Sequence, residues 1–374
     1  MKRLFYWITL AVVVSGCVYP YDVELQQDNG KVLVVEGKLQ TGGASWVNLS
    51  YVKPVNGKQT SFPSGTAYLE DSAGTRYEPN GDGRNFYFDT SKASSDLSYR
   101  VVVTDNGKTY ESDWVKPLAP PTLDEVVFEA DDSNVYVKVS LQAGSEGSGY
   151  AAVQFEEAWM FHTDYLRQYY YNEENNTIGA LIKPDESHYY CWKQMDWGSN
   201  TLIDYRELDG KVSRYTLHSF SRYDNRNHKT YSILVKIRNL TPEEYRYRKT
   251  LDDNNDIGGD LFSPEPGQVA SNVHCVSDKN VQVLGYVNIS QLVSKRYYLD
   301  DRYYKHRDPG GLVLLSQDEY LKYYEKGYLP VDYVHVDNGY GIGWGLPRCY
   351  DCVAAGGSLV EPDFIWDEAY SLDN

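Results

Sequence analysis

The residues with the widest range of possible chemistry are four cysteines in the body of the chain: Cys191, Cys275, Cys349 and Cys352. The Cys349-x-x-Cys352 motif could hold zinc together with the other two thiols, or it could act by itself as a redox pair. The zinc hypothesis lacks a second Cys-x-x-Cys motif. A redox pair would be followed by a helix, but the residues after the Cys349-x-x-Cys352 motif, 353–362, form a glycine-rich turn in the prediction. The signal peptide described in the next paragraph would export the chain to an oxidising compartment, where disulfides are favoured. We therefore predict two disulfides, in which each cysteine of the motif bridges outward to Cys191 or Cys275.

A fifth cysteine, Cys17, follows the apolar run of residues 4–14 and two small residues. A basic pair at positions 2 and 3 precedes the run, and this order is typical of a secretory signal peptide. The run is shorter than the roughly 20 apolar residues that span a bilayer. Its last letters, VSGC, resemble a bacterial lipobox, in which the cysteine is acylated and the chain is cut before it; an ordinary signal peptide that contains a cysteine is the alternative. We predict a signal peptide at 1–16, lipidation of Cys17 and a polar tether at 17–30.

The segment LDDNNDIGGD invites comparison with a calcium-binding loop, since Asp252, Asn254 and Asp256 have the spacing of EF-hand ligands. However, Ile257 occupies the position that requires glycine, and Ser263 occupies the position that requires glutamate. We therefore interpret the segment as the acidic end of a helix.

Histidines and carboxylates form no recognisable catalytic pattern. The seven histidines are scattered, and none stands in an H-E-x-x-H frame. The sequence has no G-x-S-x-G motif, no Walker loop and no Rossmann fingerprint. With 53 acidic residues, no carboxylate pair stands out as a hydrolytic acid and base. We predict a protein that is not an enzyme, with no catalytic residue, no metal and no cofactor.

Aromatic residues are abundant, with 36 tyrosines, 8 tryptophans and 10 phenylalanines. Packing in half-buried strands is one explanation, and a binding surface is the other, because Tyr and Trp offer large contact area at low entropic cost. The densest clusters show little strand alternation. We therefore predict that they form loops at one end of the second domain and bind a ligand or partner there. The residues of this predicted aromatic site are Tyr169, Tyr170, Tyr171, Trp192, Trp197, Tyr303, Tyr304, Tyr340 and Trp344.

Short strands separated by turns dominate the chain from residue 31 onward. The run KVLVVEGKL is rich in β-branched residues, and the turn Asp105-Asn106-Gly107 is a strong hairpin signal. The proline-rich segment 117–121 reads as a stiff linker. We predict a mainly β protein with an N-terminal immunoglobulin-like or transthyretin-like sandwich at 31–118. A second, fibronectin-like β domain at 119–374 follows it.

Capping sequences predict two short helices inside the second domain. Residues 241–244, TPEE, form a capping box with proline at the first helical position. Residues 316–319, SQDE, form another, and Gly327 stands where a C-cap is expected. No stretch after Cys17 is long and apolar enough to cross a membrane.

The formal net charge of −17 argues against nucleic acid as a partner, because phosphate would be repelled. The same charge argues against attachment to anionic lipid through a basic face. We therefore expect membrane attachment to come from acyl chains on Cys17.

Three segments of the chain resemble a known family: LTPEEY from residue 240, VLGY from residue 283, and CYDCVAAGGSLVEPDFIW from residue 349. In this order, and behind a lipobox, they resemble the Bacteroidota surface lipoproteins grouped as domain of unknown function 4249. The family has no established activity. Its members are commonly encoded beside TonB-dependent outer-membrane transporters, so the resemblance implies a role in nutrient uptake.

We therefore expect a non-catalytic lipoprotein anchored in the outer membrane, exposed on the cell surface, and acting as a binding or accessory component of a TonB-dependent transporter. Glycan or peptide would be its cargo. One alternative is a structural or adhesive surface protein of the fimbrillin type. A surface hydrolase is another, although the sequence offers no site for one.

Overall fold

A computed structural model of the chain describes residues 31–52, 61–81, 83–144, 149–198, 201–256, 270–299, 303, 310–336 and 339–362. The predicted signal peptide, the lipidation of Cys17 and the tether fall outside these residues. The described part is mainly β, as predicted, and its strands form six sheets.

Two sheets share one core and form the N-terminal sandwich. Sheet A contains β1 (Leu33–Gln40), β2 (Ala44–Tyr51), β5 (Asn80–Gly81), β6 (Asn85–Asp89), β19 (Val283–Leu284) and β20 (Val287–Ser290). Sheet B contains β3 (Thr66–Asp71), β4 (Arg76–Tyr77), β7 (Tyr99–Asp105), β8 (Lys108–Ser112) and β18 (Val273–Cys275). In β1, Val35 and Leu39 are buried in the core, whereas Glu36 and Lys38 are on the outer face, which is the alternation of a half-buried strand.

The hairpin between β7 and β8 confirms the predicted turn. Asp105 pairs with Lys108, and the two residues between them, Asn106 and Gly107, have φ angles of 49° and 74°. A two-residue turn of type I′ requires positive φ at both central positions, which asparagine and glycine tolerate best.

The N-terminal sandwich is not one continuous segment. β18 pairs with β8, and both β19 and β20 pair in parallel with β1, so residues 273–290 complete this domain from far along the chain. Val273, Val283 and Ile289 are buried in its core. The predicted division into 31–118 and 119–374 is therefore wrong for this segment. Parallel pairing of short, distant strands leaves no local turn signal in a sequence.

The second sandwich also consists of two sheets around one core. Sheet C contains β9 (Thr122–Ala130), β10 (Asn134–Gln142) and β16 (Lys211–Ser221). Sheet D contains β11 (Tyr150–His162), β14 (Tyr190–Asp196), β15 (Thr201–Asp204), β17 (Thr230–Asn239) and β21 (Val293–Leu299). Val137 from sheet C meets Trp159 and Ile233 from sheet D in a core that excludes water.

Helix α1 (Pro242–Asp256) begins at the predicted cap, where the Thr241 hydroxyl accepts a hydrogen bond from the backbone N–H of Glu244 at 3.1 Å. The calcium-like spacing at Asp252 belongs to the end of this helix. Helix α2 (Tyr320–Tyr324) follows a 3-10 turn at Gln317–Glu319, with the capping box of Ser316 formed in full. Within the described residues, no helix is long and apolar enough to cross a membrane.

A third unit, which we call the tyrosine unit, was not predicted. It contains the hairpin β12 (Arg167–Asn172) and β13 (Thr177–Asp185), a sheet of β22 (Val313–Leu314), β23 (Leu329–Val336) and β24 (Gly339–Gly345), and helix α2. Trp344 lies at its centre, fully buried against Tyr171 and Tyr320. The prediction that these aromatic segments are loops is therefore wrong, because tyrosines on both faces of a strand hide its alternation.

Candidate functional site

The predicted aromatic site divides into core residues and surface residues. Tyr169 and Trp344 are buried, and the Tyr171 ring packs 5.4 Å from Trp344 and 5.0 Å from Tyr324. These residues hold the tyrosine unit together, so their assignment to a binding surface is wrong. Tyr170 and Tyr340 are 43% and 73% exposed, and they remain available at its surface.

The other predicted aromatic residues lie in separate places. The backbone of Trp192 exchanges two hydrogen bonds of 2.8 Å with Ser358, and the Tyr303 hydroxyl donates to the Phe128 carbonyl at 3.1 Å. The Trp197 indole donates to the buried carboxylate of Glu157. Tyr304 lies outside the described residues. The predicted residues therefore do not converge on one site.

One of the two predicted disulfides is present. Cys352 bridges outward to Cys191, across 161 residues of sequence, as predicted. The second predicted disulfide is wrong, because Cys275 and Cys349 are free and buried. Cys275 belongs to β18 in the core of the N-terminal sandwich, whereas Cys349 lies in a 3-10 turn after the tyrosine unit. Burial raises the pKa of the Cys349 thiol, which keeps it protonated.

A cleft of 380 Å³ separates the two sandwiches. The N-terminal sandwich contributes β1 and β2 to its wall, and the second sandwich contributes β11, β14, β17 and helix α1. We call it the interdomain cleft. The side chains that distinguish it are Lys38, Trp46, Gln154, Lys236, Arg238 and Arg248.

Strand alternation explains why polar side chains collect in the interdomain cleft. On β17, Val235 and Ile237 are buried in the second core, so Lys236 and Arg238 must lie on the opposite face. On β1, Lys38 lies on the outer face and pairs in register with Trp46 of β2. The outer faces of sheets A and D therefore supply both walls.

A buried carboxylate anchors the two arginines of the cleft. Glu244, which is 3% exposed, accepts hydrogen bonds from Arg238 at 2.7 Å and 3.1 Å and from Arg248 at 2.8 Å. Burial by itself would raise the pKa of Glu244, but the two guanidinium groups outweigh it and hold this pKa below its ordinary value. The predicted capping box is wrong in this respect, because the Glu244 side chain binds arginines instead of the helix cap.

Lys38 has no carboxylate among its described hydrogen-bond partners. Its ammonium donates to the Gln154 side-chain oxygen at 2.7 Å, whereas Lys236 is paired with Glu156. Burial and the positive charges of Arg238, Lys236 and Arg248 lower the pKa of Lys38, and they outweigh the opposing negative charge of Asp196. The floor of the cleft is therefore a region of positive potential.

An exposed aromatic surface continues from the cleft across sheet A. Trp46 and Tyr87 are direct neighbours on β2 and β6, and they are 40% and 58% exposed. Beside them the Asn48 amide donates to the Asn85 oxygen at 2.6 Å. A shallow depression of 340 Å³ runs along these residues. We call Trp46, Tyr87, Asn48 and Asn85 the aromatic ledge.

None of these cleft and ledge residues was predicted to be functional. Trp46 is a single aromatic residue in its part of the sequence and lies outside the tyrosine clusters from which the aromatic site was predicted. The alternation of Lys236 and Arg238 with buried residues is visible in the sequence, but it does not reveal that Lys38 faces them. Only the packing of the two sandwiches brings these residues together. Among the described residues, no three His, Cys, Asp or Glu side chains are grouped to hold a metal ion.

The profile of one protein family, described as domain of unknown function (DUF4249), matches residues 18–296. The chain belongs to this family. The match confirms the resemblance to domain of unknown function 4249, and it includes every residue of the interdomain cleft and the aromatic ledge. Strands β22–β24 of the tyrosine unit lie beyond the part that matches DUF4249. No curated protein matches the chain.

Proposed function

We propose that this DUF4249 protein is a non-catalytic lipoprotein of the outer membrane surface, anchored through Cys17, that binds cargo for a TonB-dependent transporter. The observation that carries the proposal is the interdomain cleft together with the aromatic ledge. Concave sites between domains, with a few convergent polar groups and exposed aromatic rings, are the usual form of a ligand site.

The chemistry of the cleft supports binding better than catalysis. Glu156 on the cleft wall is bonded to Lys236, and Glu244 is bonded to the two arginines of the cleft, so neither carboxylate is free to act as a base. Lys38 is held by an amide, and the described residues that line the cleft include no serine, cysteine or histidine. These groups suit the recognition of a bound molecule, which the protein would then release to the transporter.

The experiment is purification of the full-length, tagged lipoprotein from outer membranes in mild detergent. We expect a TonB-dependent transporter to co-purify in near-equal amount. The matched control is Cys17→Ala, which we expect to lose palmitate labelling, to become soluble and to lose the transporter. Recovery of the protein as a polymer of itself would contradict the proposal and favour the fimbrillin-type alternative.

A further inference from the structure

The interdomain cleft concentrates positive charge in a strongly acidic chain. Four cations line it: Lys236 is paired with Glu156, and Arg238 and Arg248 share Glu244. The fourth, Lys38, is hydrogen-bonded to an amide and to no carboxylate among the described residues. Two further carboxylates, Glu36 and Asp196, line the cleft at exposed positions, so its charges balance overall. A small anion beside Lys38 would give this ammonium the directly bonded counter-charge that it lacks.

The deepest cation has an unused donor. Arg238 is 3% exposed, and its Nη1 and Nη2 groups bond to Glu244, but its buried Nε–H has no hydrogen-bond partner among the residues that the structure describes. Leaving a buried donor without a partner is energetically unfavourable. Because Arg248 also depends on Glu244, one carboxylate serves two guanidinium groups. Arg238 lines the cleft, so its positive charge acts on an anion bound there.

An aromatic face stands beside these cations. Lys38 and Trp46 are opposite each other in the β1–β2 register, so a group held by Lys38 is next to the Trp46 ring. Tyr87 extends the ring surface, and the amides of Asn48 and Asn85 run alongside it. Flat aromatic surface flanked by amides fits a saccharide ring, whose C–H face stacks on the indole while its hydroxyls bond to the amides.

We propose that the interdomain cleft binds an acidic saccharide, with its carboxylate on the cations of Lys38 and Arg238 and its ring face on Trp46. This inference rests on the proposed binding function and names its ligand class. The exposed acids Glu36 and Asp196 accept hydrogen bonds from sugar hydroxyls, and together with the net charge of −17 they disfavour long polyanions. The cleft therefore selects a single acidic ring over an acidic polymer.

The test measures binding of matched small probes to the full-length lipoprotein in detergent by isothermal titration calorimetry. Methyl β-D-glucuronide and methyl β-D-glucoside differ only in the carboxylate, and acetate supplies the anion without a ring. We expect the glucuronide to bind about tenfold more tightly than either of the others, which corresponds to about 1.4 kcal/mol. Equal binding of the two glycosides would overturn the proposal, as would tighter binding of the peptide N-acetyl-Ala-Ala.

Variants separate the two parts of the site. Lys38→Gln, which keeps an amide beside Gln154, should weaken the glucuronide about tenfold and leave the glucoside unchanged. Trp46→Ala should weaken both glycosides. The controls are Lys279→Gln and Trp114→Ala, which change exposed residues outside the cleft and should alter neither affinity. Unchanged glucuronide binding in Lys38→Gln would refute the assignment. If the glycosides do not bind as expected but the transporter still co-purifies, the acidic-saccharide ligand is refuted and the proposed function is retained.

Discussion

At the scale of single residues, Glu157 carries a buried negative charge inside the second sandwich. It is 1% exposed, and it accepts hydrogen bonds from Arg226 at 3.0 Å and from the Tyr231 hydroxyl at 2.8 Å. Burial would raise the pKa of Glu157, but His218 and Arg226 beside it outweigh burial and lower this pKa to about 2. The carboxylate therefore stabilises the fold only while it is ionised.

We predict that Glu157→Gln lowers the free energy of unfolding by about 1.5–3 kcal/mol at neutral pH, because Arg226 loses one of its two carboxylate partners and keeps only Asp224. The folded-state pKa is below the ordinary value, so the stabilisation is complete above about pH 5 and is lost as the pH falls toward 2. Urea denaturation across this range should show the gap between wild type and variant closing with acid. Glu125→Gln, at an exposed position, is the control and should show no gap.

The cysteines allow a second prediction at this scale. Cys191→Ser and Cys352→Ser should each lower the free energy of unfolding by about 2–5 kcal/mol, because the bridge closes a long loop. In the folded wild type, the buried thiols of Cys275 and Cys349 should not react with thiol reagents until denaturant is added. Cys275→Ala removes no bridge and is the matched control. Rapid labelling of both thiols in the folded protein would contradict this assignment.

At the scale of elements, the hairpin β12–β13 shows how one strand separates core from surface. Tyr171 packs on Trp344 and Tyr324, while its neighbour Tyr170 lies across the hairpin over Gly179. A Cβ atom at Gly179 would come within 2.4 Å of the Tyr170 ring, so any larger residue there would push this exposed ring aside.

Tyr171→Ser should therefore loosen the tyrosine unit and lower the free energy of unfolding by about 3 kcal/mol, in the range of large-to-small core changes. Tyr170→Ser should change it by less than about 0.5 kcal/mol, because that ring is largely exposed. Chemical denaturation with tryptophan fluorescence would measure both. Equal destabilisation by the two variants would mean that Tyr170 also belongs to the core.

The local features of these elements were accessible from sequence, and the long-range ones were not. The Asn106-Gly107 turn and the Ser316 capping box depend on residues within a few positions, and both formed as predicted. The sequence predicts a capping role for Glu244, whereas its side chain binds Arg238, which lies on strand β17 before the helix. Local sequence does not show that pairing. The interdomain cleft could not be predicted for the same reason, since Lys38 and Arg238 meet only after both sandwiches have formed.

At the scale of the whole molecule, the N-terminal sandwich depends on residues 273–290. We predict that residues 31–118 expressed alone do not fold cooperatively, because β1 loses two parallel partners and the core loses five buried residues. Joining residues 270–290 to this fragment through a flexible linker should restore a cooperative thermal transition, measured by circular dichroism. A sharp transition in the fragment without this addition would show that the returning strands are dispensable.

The central position of β1 also decides how the molecule bears mechanical load. The chain enters the sandwich through β1, which is hydrogen-bonded to β2 on one side and in parallel to β20 on the other. Tension applied at residue 31 and resisted beyond β20 would load all the bonds between these parallel strands together, in shear, instead of peeling them one at a time. Because Lys38 lies on β1, this force would act on the wall of the interdomain cleft before any strand separates.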